Sequence, residues 1–556
     1  MLTNPTFLGI DKIHTSLHTG PFTVENSMTK IMMLRLVMSV ASTVAARPNV
    51  LLLMPDQWRW DWDGTPHEHA GAPPPLRLPH IQQLRDSGTT FPRGAVVPAP
   101  VCAPSRSCMA SLREYDQAGT ATNFANDFRA GEIPTYFSAL EAAGYHTMST
   151  GKDDLTKATQ LGYKLGRDTR NASATYHAVE LGFSDSIRFS GKEDVISTYP
   201  TPHEPYGYHL DASRVTLANG TEVNAFAAHK ACLTGHDAAS LCDRGSYPAS
   251  LYEDDWTAAQ AVTLLERAPR EKPWFLWVSF PGPHPPFSVT AAMAAATTGR
   301  AWPMPVDSNN ETALCLPAAG QPSSARVRCN YAAEMENLDR LFGLVLGAAS
   351  ARGNSVETDT IVCFFSDHGE MLDDHDDRDK SKPWQGALSV PLVCAGPGIR
   401  RNATLDVPMA TVDIGATVLD FAGAERDARM TAPSFRGLLE GAHPATRNRT
   451  VVLSGLQSYD FGAPAEPTAE EKVVFNFRLA VAELEGGPHK FVCCQGRCPG
   501  SPSTASAPDA DGYTRMLFNT AADPFDMHDL KSALPHVAEK LRAALPVEHG
   551  FNCSRL

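Results

Sequence analysis

The sequence has no hydrophobic run long enough to cross a bilayer and no excess of positive charge. It contains 48 Lys and Arg residues against 62 Asp and Glu, which gives a net charge of -14. A membrane helix needs about 20 mostly apolar residues, and no uncharged apolar run approaches that length. Nucleic-acid binding depends on basic residues that neutralise phosphates. The sequence therefore predicts no membrane span and argues against a nucleic-acid partner, although a few converging cations could still bind a small anion.

Cysteine is sparse too, because twelve residues in a chain of 556 do not form a disulfide scaffold. Two pairs lie in polar, loop-like stretches and are candidates for bridges: Cys232 with Cys242, and Cys315 with Cys329. Cys363 and Cys394 lie in apolar runs, where buried thiols are expected. Spacing alone does not determine the connectivity.

Residues 1–46 have the pattern of a leader with a secretory signal. Ile31–Ala46 is apolar, follows Lys30 and ends in small residues, with Met28 as its expected initiator. Asn-x-Ser/Thr sequons begin at Asn171, Asn219, Asn310, Asn402, Asn448 and Asn552. Roughly two or three would occur by chance, so the excess favours a glycoprotein of the secretory route, extracellular or lysosomal.

Four short apolar runs each end abruptly in polar residues. They are Asn49–Pro55 before Asp56-Gln57, His146–Thr150 before Gly151-Lys152, Trp274–Phe280 before Pro-Gly-Pro-His284, and Thr360–Ser366 before Asp367-His368. Such runs are typical of strands buried on both faces. Because ligands bind beyond the carboxyl ends of parallel strands, we expect these four polar clusters to meet.

Helical patterns lie between these runs. Ile133–Ala143 repeats apolar residues at helical spacing and stops at Gly144, and Tyr331–Leu346 carries one apolar stripe. Strands that alternate with helices predict an α/β fold with a large, doubly wound, mainly parallel sheet. Ser184–Ser250 is rich in Gly, Pro, His and Tyr, which predicts long loops over the site.

The pattern changes beyond about residue 440. Shorter alternating segments indicate an antiparallel sheet, at Val451–Ser454, Val473–Leu484 and Lys490–Cys493. A terminal helix is expected from about Asp529 to Leu545. We therefore predict a larger domain over residues 47–440, which holds the four polar clusters, and a smaller C-terminal domain over residues 441–556.

The segment Cys102-Ala103-Pro104-Ser105-Arg106 resembles the signature Cys-x-Pro-Ser-Arg of the sulfatase family. In that family a formylglycine-generating enzyme oxidises the cysteine to formylglycine, an aldehyde that hydrates to a gem-diol. Pro104 and Ser105 also suit the opening of a helix, which would put Cys102 where backbone N–H groups favour an anion. A lone cysteine before a helix would be an ordinary buried side chain, so the neighbouring motifs decide between these interpretations.

Further segments resemble sulfatase elements in the family's order, from about Pro48 to Leu530. They are Asn49–Asp56, Pro283–Pro286, Ser366–Leu372, Val390–Ile399 and Leu517–Leu530. The resemblance implies an alkaline-phosphatase-like fold and hydrolysis of sulfate esters, with a sulfated sugar or other small molecule as substrate.

The resemblance also implies a role for each site residue. The ligands of one divalent cation would be Asp56, Gln57, Asp367, His368 and an oxygen of modified Cys102. Calcium is the family's usual ion, but a His nitrogen suits it less well, so Mg²⁺ and Mn²⁺ stay open. Arg106 would orient the modified residue, and Lys152 and Lys380 would bind sulfate oxygens. His284 or Lys380 would protonate the alcohol as it leaves.

Two positions depart from the common family pattern. The usual Asp-Asp of the first metal segment is Asp56-Gln57 here, which also resembles choline sulfatases and phosphonate monoester hydrolases. The usual Gly-Lys-x-His reads Gly-Lys-Asp-Asp at residues 151–154. That form resembles arylsulfatase K, a sulfatase of 2-sulfated glucuronate, and it would make Asp154 the base that replaces the histidine.

Two other functions remain open from the sequence. One is a phosphodiester or phosphonate monoester hydrolase built on the same site. The other is a catalytically silent glycan-binding protein that keeps the fold, for which the missing histidine leaves room. The intact segment around Cys102 counts against the silent protein, because that signature is useful only if the cysteine is oxidised.

Overall fold

The computed structural model describes residues 47–65, 73–123, 128, 131–155, 181–217, 219–235, 241–245, 247–308, 312–315, 323–459, 473–499, 507–547 and 551–553. The leader, the signal segment and the sequons at Asn171 and Asn310 lie outside these residues. Asn219, Asn402 and Asn448 are exposed, as attachment of a glycan requires. None of the helices within the described ranges has the length and apolar character to cross a bilayer.

Eight strands form the central sheet. In chain order they are β1 (Asn49–Pro55), β2 (Gly88–Thr90), β4 (His146–Lys152), β5 (Asp185–Phe189), β9 (Trp274–Phe280), β13 (Thr360–Phe365), β15 (Leu392–Ala395) and β16 (Ala403–Thr404). Their spatial order is β16-β2-β15-β13-β1-β9-β4-β5. The run from β13 to β5 is parallel throughout, and only β15 pairs antiparallel with its two neighbours.

The remaining strands form smaller sheets. Four of them form an antiparallel C-terminal sheet, β17 (Val452–Tyr459), β18 (Val473–Leu484), β19 (Gly487–Gln495) and β20 (Tyr513–Asn519). The others form two-stranded ribbons, β3 (Ala95–Val96) with β14 (Ser389–Val390), β6 (Arg214–Thr216) with β7 (Glu222–Asn224), β8 (Leu241–Gly245) with β10 (Phe287–Thr290), and β11 (Ala301–Pro303) with β12 (Thr312–Leu314).

Thirteen α-helices lie within the described residues. They are α1 (Pro79–Ser87), α2 (Cys102–Ser111), α3 (Tyr115–Ala118), α4 (Tyr136–Ala142), α5 (Pro205–Asp211), α6 (Ala225–Thr234), α7 (Glu253–Arg267), α8 (Ala291–Thr297), α9 (Ser323–Ala351), α10 (Gln385–Leu388), α11 (Asp413–Ala422), α12 (Arg436–Glu440) and α13 (Pro535–Arg542). Short 3-10 turns occur at Trp60–Trp62, Asp194–Thr198, Ala249–Leu251, Asp374–Asp376 and Pro444–Thr446.

Alternate residues of β1 enter two separate cores, one on each face of the central sheet. Leu51 packs in a cluster with side chains of α7 and α9, such as Leu264 and Met335. Leu52 belongs to the opposite cluster, with side chains of α4 and α11 such as Leu140. Helices therefore cover both faces, and the doubly wound, mainly parallel α/β fold is confirmed.

The expectation of buried thiols at Cys363 and Cys394 is wrong, because the two residues form a disulfide. Cys363 of β13 lies directly opposite Cys394 of the antiparallel neighbour β15. Opposite residues of an antiparallel pair are close enough for a bridge. The bridge between Cys315 and Cys329 is present as the sequence suggested. Cys232 is also disulfide-bonded.

The expectation of long loops over Ser184–Ser250 is wrong for much of that stretch. It contains β5, the ribbon of β6 with β7, and helices α5 and α6. Buried side chains from these elements, such as Phe189, Tyr206 and Phe226, form a cluster of their own together with Trp256 of α7. The apolar residues are spaced too widely for a periodic pattern, so composition alone suggested loops.

Glu204 lies buried in this region and gives it a measurable pH dependence. Its carboxylate accepts hydrogen bonds from the backbone N and Oγ of Ser190 at 2.8 and 2.9 Å. Burial raises the pKa of Glu204 from 4.5 to about 8. Between pH 4.5 and 8 the folded protein therefore keeps a proton on Glu204 that the unfolded chain has already released. The free energy of unfolding falls as pH rises through this window.

We expect Glu204 to contribute on the order of 3 kcal/mol of extra stability at pH 5 relative to pH 8. Urea unfolding of the wild type and of Glu204→Gln at pH 5 and pH 8 measures the contribution of Glu204 to the difference in stability. The variant should show a weaker pH dependence, because glutamine does not titrate. An identical pH dependence of the two proteins would contradict the assignment.

The C-terminal sheet braces a segment that follows β13. Lys490 of β19 donates hydrogen bonds to Asp526 at 2.6 Å and to the carbonyl of Pro383 at 3.1 Å. Asp526 also accepts a hydrogen bond from the backbone N–H of Gln385 at 2.7 Å.

The final helix α13 is shorter than the predicted Asp529–Leu545. The proposed boundary near residue 440 stays a prediction.

Candidate active site

The carboxyl ends of neighbouring parallel strands bring the predicted residues together. Asp56 follows β1. Its backbone N–H donates to the carbonyl of Phe280, the last residue of β9, and to the carbonyl of Gly282, two residues later, at 3.0 Å each. Lys152 ends β4, and Asp367 comes two residues after β13. The expected convergence of the four polar clusters is thus observed, since β13, β1, β9 and β4 are adjacent.

Helix α2 begins at Cys102, so this residue lies at a helix amino end as the sequence predicted. All ten residues of the helix are buried. Ala103 N–H donates to Asn123 Oδ1 at 2.8 Å, and Ser105 Oγ donates to the carbonyl of Asp367 at 2.6 Å. The second contact ties the helix to the end of β13 and sets Cys102 against Asp367.

Four buried side chains form a group that fits a divalent cation. One ligand atom from each of Asp56, Cys102, Asp367 and His368 lies within 4.8 Å of all the others. A calcium ion lies about 2.3–2.6 Å from each ligand, so ligand atoms up to roughly 5 Å apart can share one ion. The two carboxylates and the imidazole fit an ion of this kind.

Gln57 is placed beside this group. Its side-chain oxygen accepts a hydrogen bond from Lys380 Nζ at 2.7 Å, and its amide nitrogen donates to Glu370 and to Asp379 Oδ1. Its backbone N–H donates to Asp367 Oδ1 at 3.1 Å. The fully buried Gln57 therefore links Lys380 to the two carboxyls that hold its amide.

Arg106 joins both candidate metal carboxylates. Its Nε donates to Asp367 Oδ2 at 2.8 Å, and its Nη2 lies 3.3 Å from Asp56 Oδ2. Its Nη1 donates to the carbonyl of Lys152 and to Ser279 Oγ. The guanidinium is fully buried and fixes the ends of four strands, β1, β13, β4 and β9, relative to one another.

Two lysines bring positive charge to Cys102. Lys152 Nζ lies 3.6 Å from Cys102 Sγ and 2.5 Å from Asp56 Oδ2. Burial and the carboxylate of Asp56 alone would raise the pKa of the Cys102 thiol, but Lys152, Lys380 and His368 lower it. The surroundings of Cys102 therefore favour a negative charge at this point.

His284 and Lys380 face each other beside this centre. Lys380 Nζ lies 2.5 Å from His284 Nε2, and His284 Nδ1 contacts the carbonyl of Pro285. Because the ammonium can only donate, Nε2 is the acceptor and Nδ1 carries the imidazole proton. The two side chains therefore share one proton that a departing oxygen could take.

Asp154 is buried next to Lys152, and its Oδ2 lies 3.3 Å from Lys152 Nζ. Its backbone has a φ of 53°, a left-handed conformation that turns the chain sharply after β4. The preceding residue Asp153 points to Arg188 instead. Asp153 occupies the variable position of the Gly-Lys-x-His motif and Asp154 the position of its histidine. Only Asp154 of these two acids contacts Lys152, a candidate sulfate-binding residue.

The candidate residues predicted from the sequence lie close together in this centre, but several residues that contact them were not predicted. Glu370 and Asp379 hold the amide of Gln57, and Ser279 of β9 contacts Arg106. Glu370 lies within the segment Ser366–Leu372 that resembles the second metal segment, so the motif itself could have drawn attention to it. No such signal marks Ser279, whose role depends on the order of strands in the sheet.

Comparison with known proteins agrees with this geometry. The family model described as Sulfatase matches residues 48–424. A choline-sulfatase of Rhizobium meliloti is 25% identical over 514 residues, which cover 87% of this chain and 82% of that protein. An arylsulfatase K of Danio rerio is 23% identical over 524 residues, which cover 89% of this chain and 82% of that protein. The phosphonate monoester hydrolase of Agrobacterium radiobacter shares the fold, with a TM-score of 0.62, 19% identity and coverage of 88% and 93% of the two chains.

Proposed function

Since the chain belongs to the sulfatase family and is a sulfuric ester hydrolase, we propose that it desulfates a sulfated sugar or glycan through a formylglycine made from Cys102. The observation that supports this most directly is the buried group of Asp56, Cys102, Asp367 and His368 with Lys152 beside it. A thiol at a helix amino end, surrounded by carboxylates that suit a cation, is the arrangement that such a nucleophile requires.

The proposed cofactors supply chemistry that the side chains lack. A divalent cation, calcium in the first instance and Mg²⁺ or Mn²⁺ as alternatives, would be held by Asp56, Gln57, Asp367, His368 and modified residue 102 and would neutralise sulfate oxygens. Formylglycine would supply a hydroxyl nucleophile, made during maturation by a formylglycine-generating enzyme of the secretory route.

The chain's own residues bind and orient the ester. Lys152 Nζ lies 3.6 Å from Cys102 Sγ, and Lys380 is near enough to lower the pKa of its thiol. Both lysines would offset the negative charge of sulfate, which otherwise repels a nucleophile. Arg106 holds Asp56 and Asp367 in place without contact to solvent. The proton shared by Lys380 and His284 is available to the ester oxygen as the alcohol departs.

The substrate class follows from the residues that replace the usual histidine. Asp154 in the segment Gly-Lys-Asp-Asp is the form that resembles arylsulfatase K, and arylsulfatase K proteins are among the relatives. We therefore infer a sulfated sugar, with 2-sulfated uronate as the first candidate. The secretory leader and the exposed sequons support an extracellular or lysosomal site of action.

The test is a mass measurement combined with a substrate comparison. Protein made in a host with a formylglycine-generating enzyme is digested with trypsin, and the peptide Gly94–Arg106 is weighed. We expect the mass of an aldehyde at residue 102 and turnover of aryl sulfates. An unmodified thiol in that peptide would contradict the proposal, and faster turnover of aryl phosphodiesters would favour the phosphonate hydrolase alternative instead.

Asp154 is expected to act as the base that allows sulfate to leave. Asp154→Asn should slow sulfate release by about 10²- to 10³-fold with little effect on the first transfer, because a positioned base contributes about that much. Rapid mixing with an aryl sulfate should then show a burst of phenol larger than that of the wild type. Asp153→Asn is the matched control, since Asp153 contacts Arg188. No burst in Asp154→Asn would remove Asp154 from this role.

A further inference from the structure

The three residues Ser190–Lys192, called the strap below, connect two parts of the active site: the side chain of Lys152 and the segment that carries His284. They follow β5, whose last residue Phe189 lies opposite Lys152 in the parallel register of β4 and β5. A Cβ on Gly191 would lie 3.2 Å from Cδ of Lys152, so the strap backbone packs tightly against that side chain. Ser190 is held from the other side by its two hydrogen bonds to Glu204.

Lys192 extends from this strap to the segment that carries His284. Its side chain is 1% exposed, and its Nζ donates to the backbone carbonyl of His284 at 2.8 Å and to Glu334 Oε2 at 2.7 Å. Glu253 Oε1 lies 3.9 Å away. Burial alone would lower the pKa of Lys192, but Glu334 and Glu253 raise it, so the ammonium stays charged.

The segment around His284 is anchored at a second point by α7. Gly282 N–H donates to Asp254 Oδ1 at 2.9 Å, and Asp254 neighbours Glu253 in α7. A Cβ on Gly282 would lie 2.4 Å from Asp254 Oδ2, which shows how closely the backbone approaches this carboxyl. Two buried contacts therefore bracket the turn from β9 to His284, one before the histidine and one at its own carbonyl.

We propose that Lys192 is a positioning residue that holds His284 in reach of Lys380, so that the pair can protonate the departing alcohol. The inference rests on the proposed function. A hydroxyl of modified residue 102 would form the new bond to sulfur as the bond from sulfur to the ester oxygen breaks. The electron pair of the broken bond stays on the ester oxygen, which takes the proton shared by Lys380 and His284. Lys192 touches none of the reacting atoms and acts only through the His284 backbone.

Such a role predicts an effect that depends on the leaving group. A nitrophenol departs as a stable anion and needs little help from an acid, whereas phenol needs a proton. Lys192→Met is expected to lower kcat/KM for phenyl sulfate by about 10- to 100-fold and that for 4-nitrophenyl sulfate by no more than about 3-fold. Lys192→Arg keeps a cation within reach of the carbonyl and is expected to restore most of the phenyl sulfate activity.

Arg244→Met is the matched control. Arg244 is also buried and pairs with Glu253 at 3.0 Å, yet none of its described contacts is with His284. Its loss removes a cation from the same cluster and should leave the ratio of the two activities unchanged.

Lys192→Met leaves Glu334 without its partner, but burial already raises the pKa of Glu334 to about 7, so this carboxyl can take up a proton. If that variant does not fold, Lys192→Met with Glu334→Gln is measured in its place.

Three outcomes would overturn the inference while the proposed function stands. They are an equal loss for both substrates, no loss for either, or no restoration of phenyl sulfate activity by arginine. A wild type, modified at residue 102, that turns over no aryl sulfate would instead contradict the proposed function. A selective loss for phenyl sulfate, absent in Arg244→Met, would support the role of Lys192.

Discussion

Replacement of Cys102 by alanine is expected to lower sulfate-ester turnover by about 10⁴-fold or more and to leave the fold intact, because it removes the proposed precursor of the nucleophile. Cys102 Sγ contacts Asp56, His368 and Lys152, all of them polar groups of the site. Its loss therefore takes few apolar contacts from the core. Serine should be as inactive as alanine, since its hydroxyl is not the substrate of the cysteine-oxidising enzyme.

The same helix offers a matched control for this variant. Cys108 is the other free cysteine among the described residues, is fully buried and lies six positions further along α2. Cys108→Ala should cost about 1 kcal/mol of stability and keep wild-type turnover. Aryl sulfate kinetics and thermal unfolding of both variants make the comparison. Substantial turnover by Cys102→Ala would refute the mechanism.

Removal of the cation is the second change with a large expected effect. Chelation should lower turnover by about 10³-fold, because a bound cation stabilises the charge of the transferring sulfate by several kcal/mol. Added calcium should restore activity and raise the melting temperature. At a hundred times its dissociation constant, calcium would stabilise the fold by about 2.7 kcal/mol.

Two aspartate variants separate this effect from general stabilisation. Asp56→Asn removes a buried carboxylate from the candidate ligand group and should abolish the calcium-dependent shift in melting temperature. Asp63→Asn removes another buried carboxylate, which pairs with Arg85 at 2.9 Å outside the group, and should keep the shift. A full calcium shift in Asp56→Asn would show that the ion binds elsewhere.

Much of the fold could be predicted because the parallel strands carry their own signal. Asn49–Pro55 and Trp274–Phe280 are continuous apolar runs, and both are strands with these bounds. The residues after them belong to motifs with a fixed position at strand ends, so their convergence followed from the topology. The site was predictable to the same extent as the strands that position it.

The errors arose where long-range pairing decides the structure. The bridge of Cys363 to Cys394 depends on an antiparallel neighbour within a mainly parallel sheet, which neither apolar run reveals. Lys192 lies in a polar stretch without periodicity, and its importance depends on Glu334, which lies 142 residues away in the chain. Such contacts leave no local pattern, because the partners come together only through tertiary packing.

The burial of Cys102 has a consequence for when the proposed oxidation would occur during biosynthesis. Its side chain is 0% exposed, at the first residue of α2 and close to Asp56 and Asp367, which follow β1 and β13. An enzyme that oxidised this residue as proposed would need access to its side chain, so it would have to act before α2 packs against the sheet. A chain that folded first would keep an inaccessible thiol, and the yield of active protein would then depend on the relative rates of oxidation and folding.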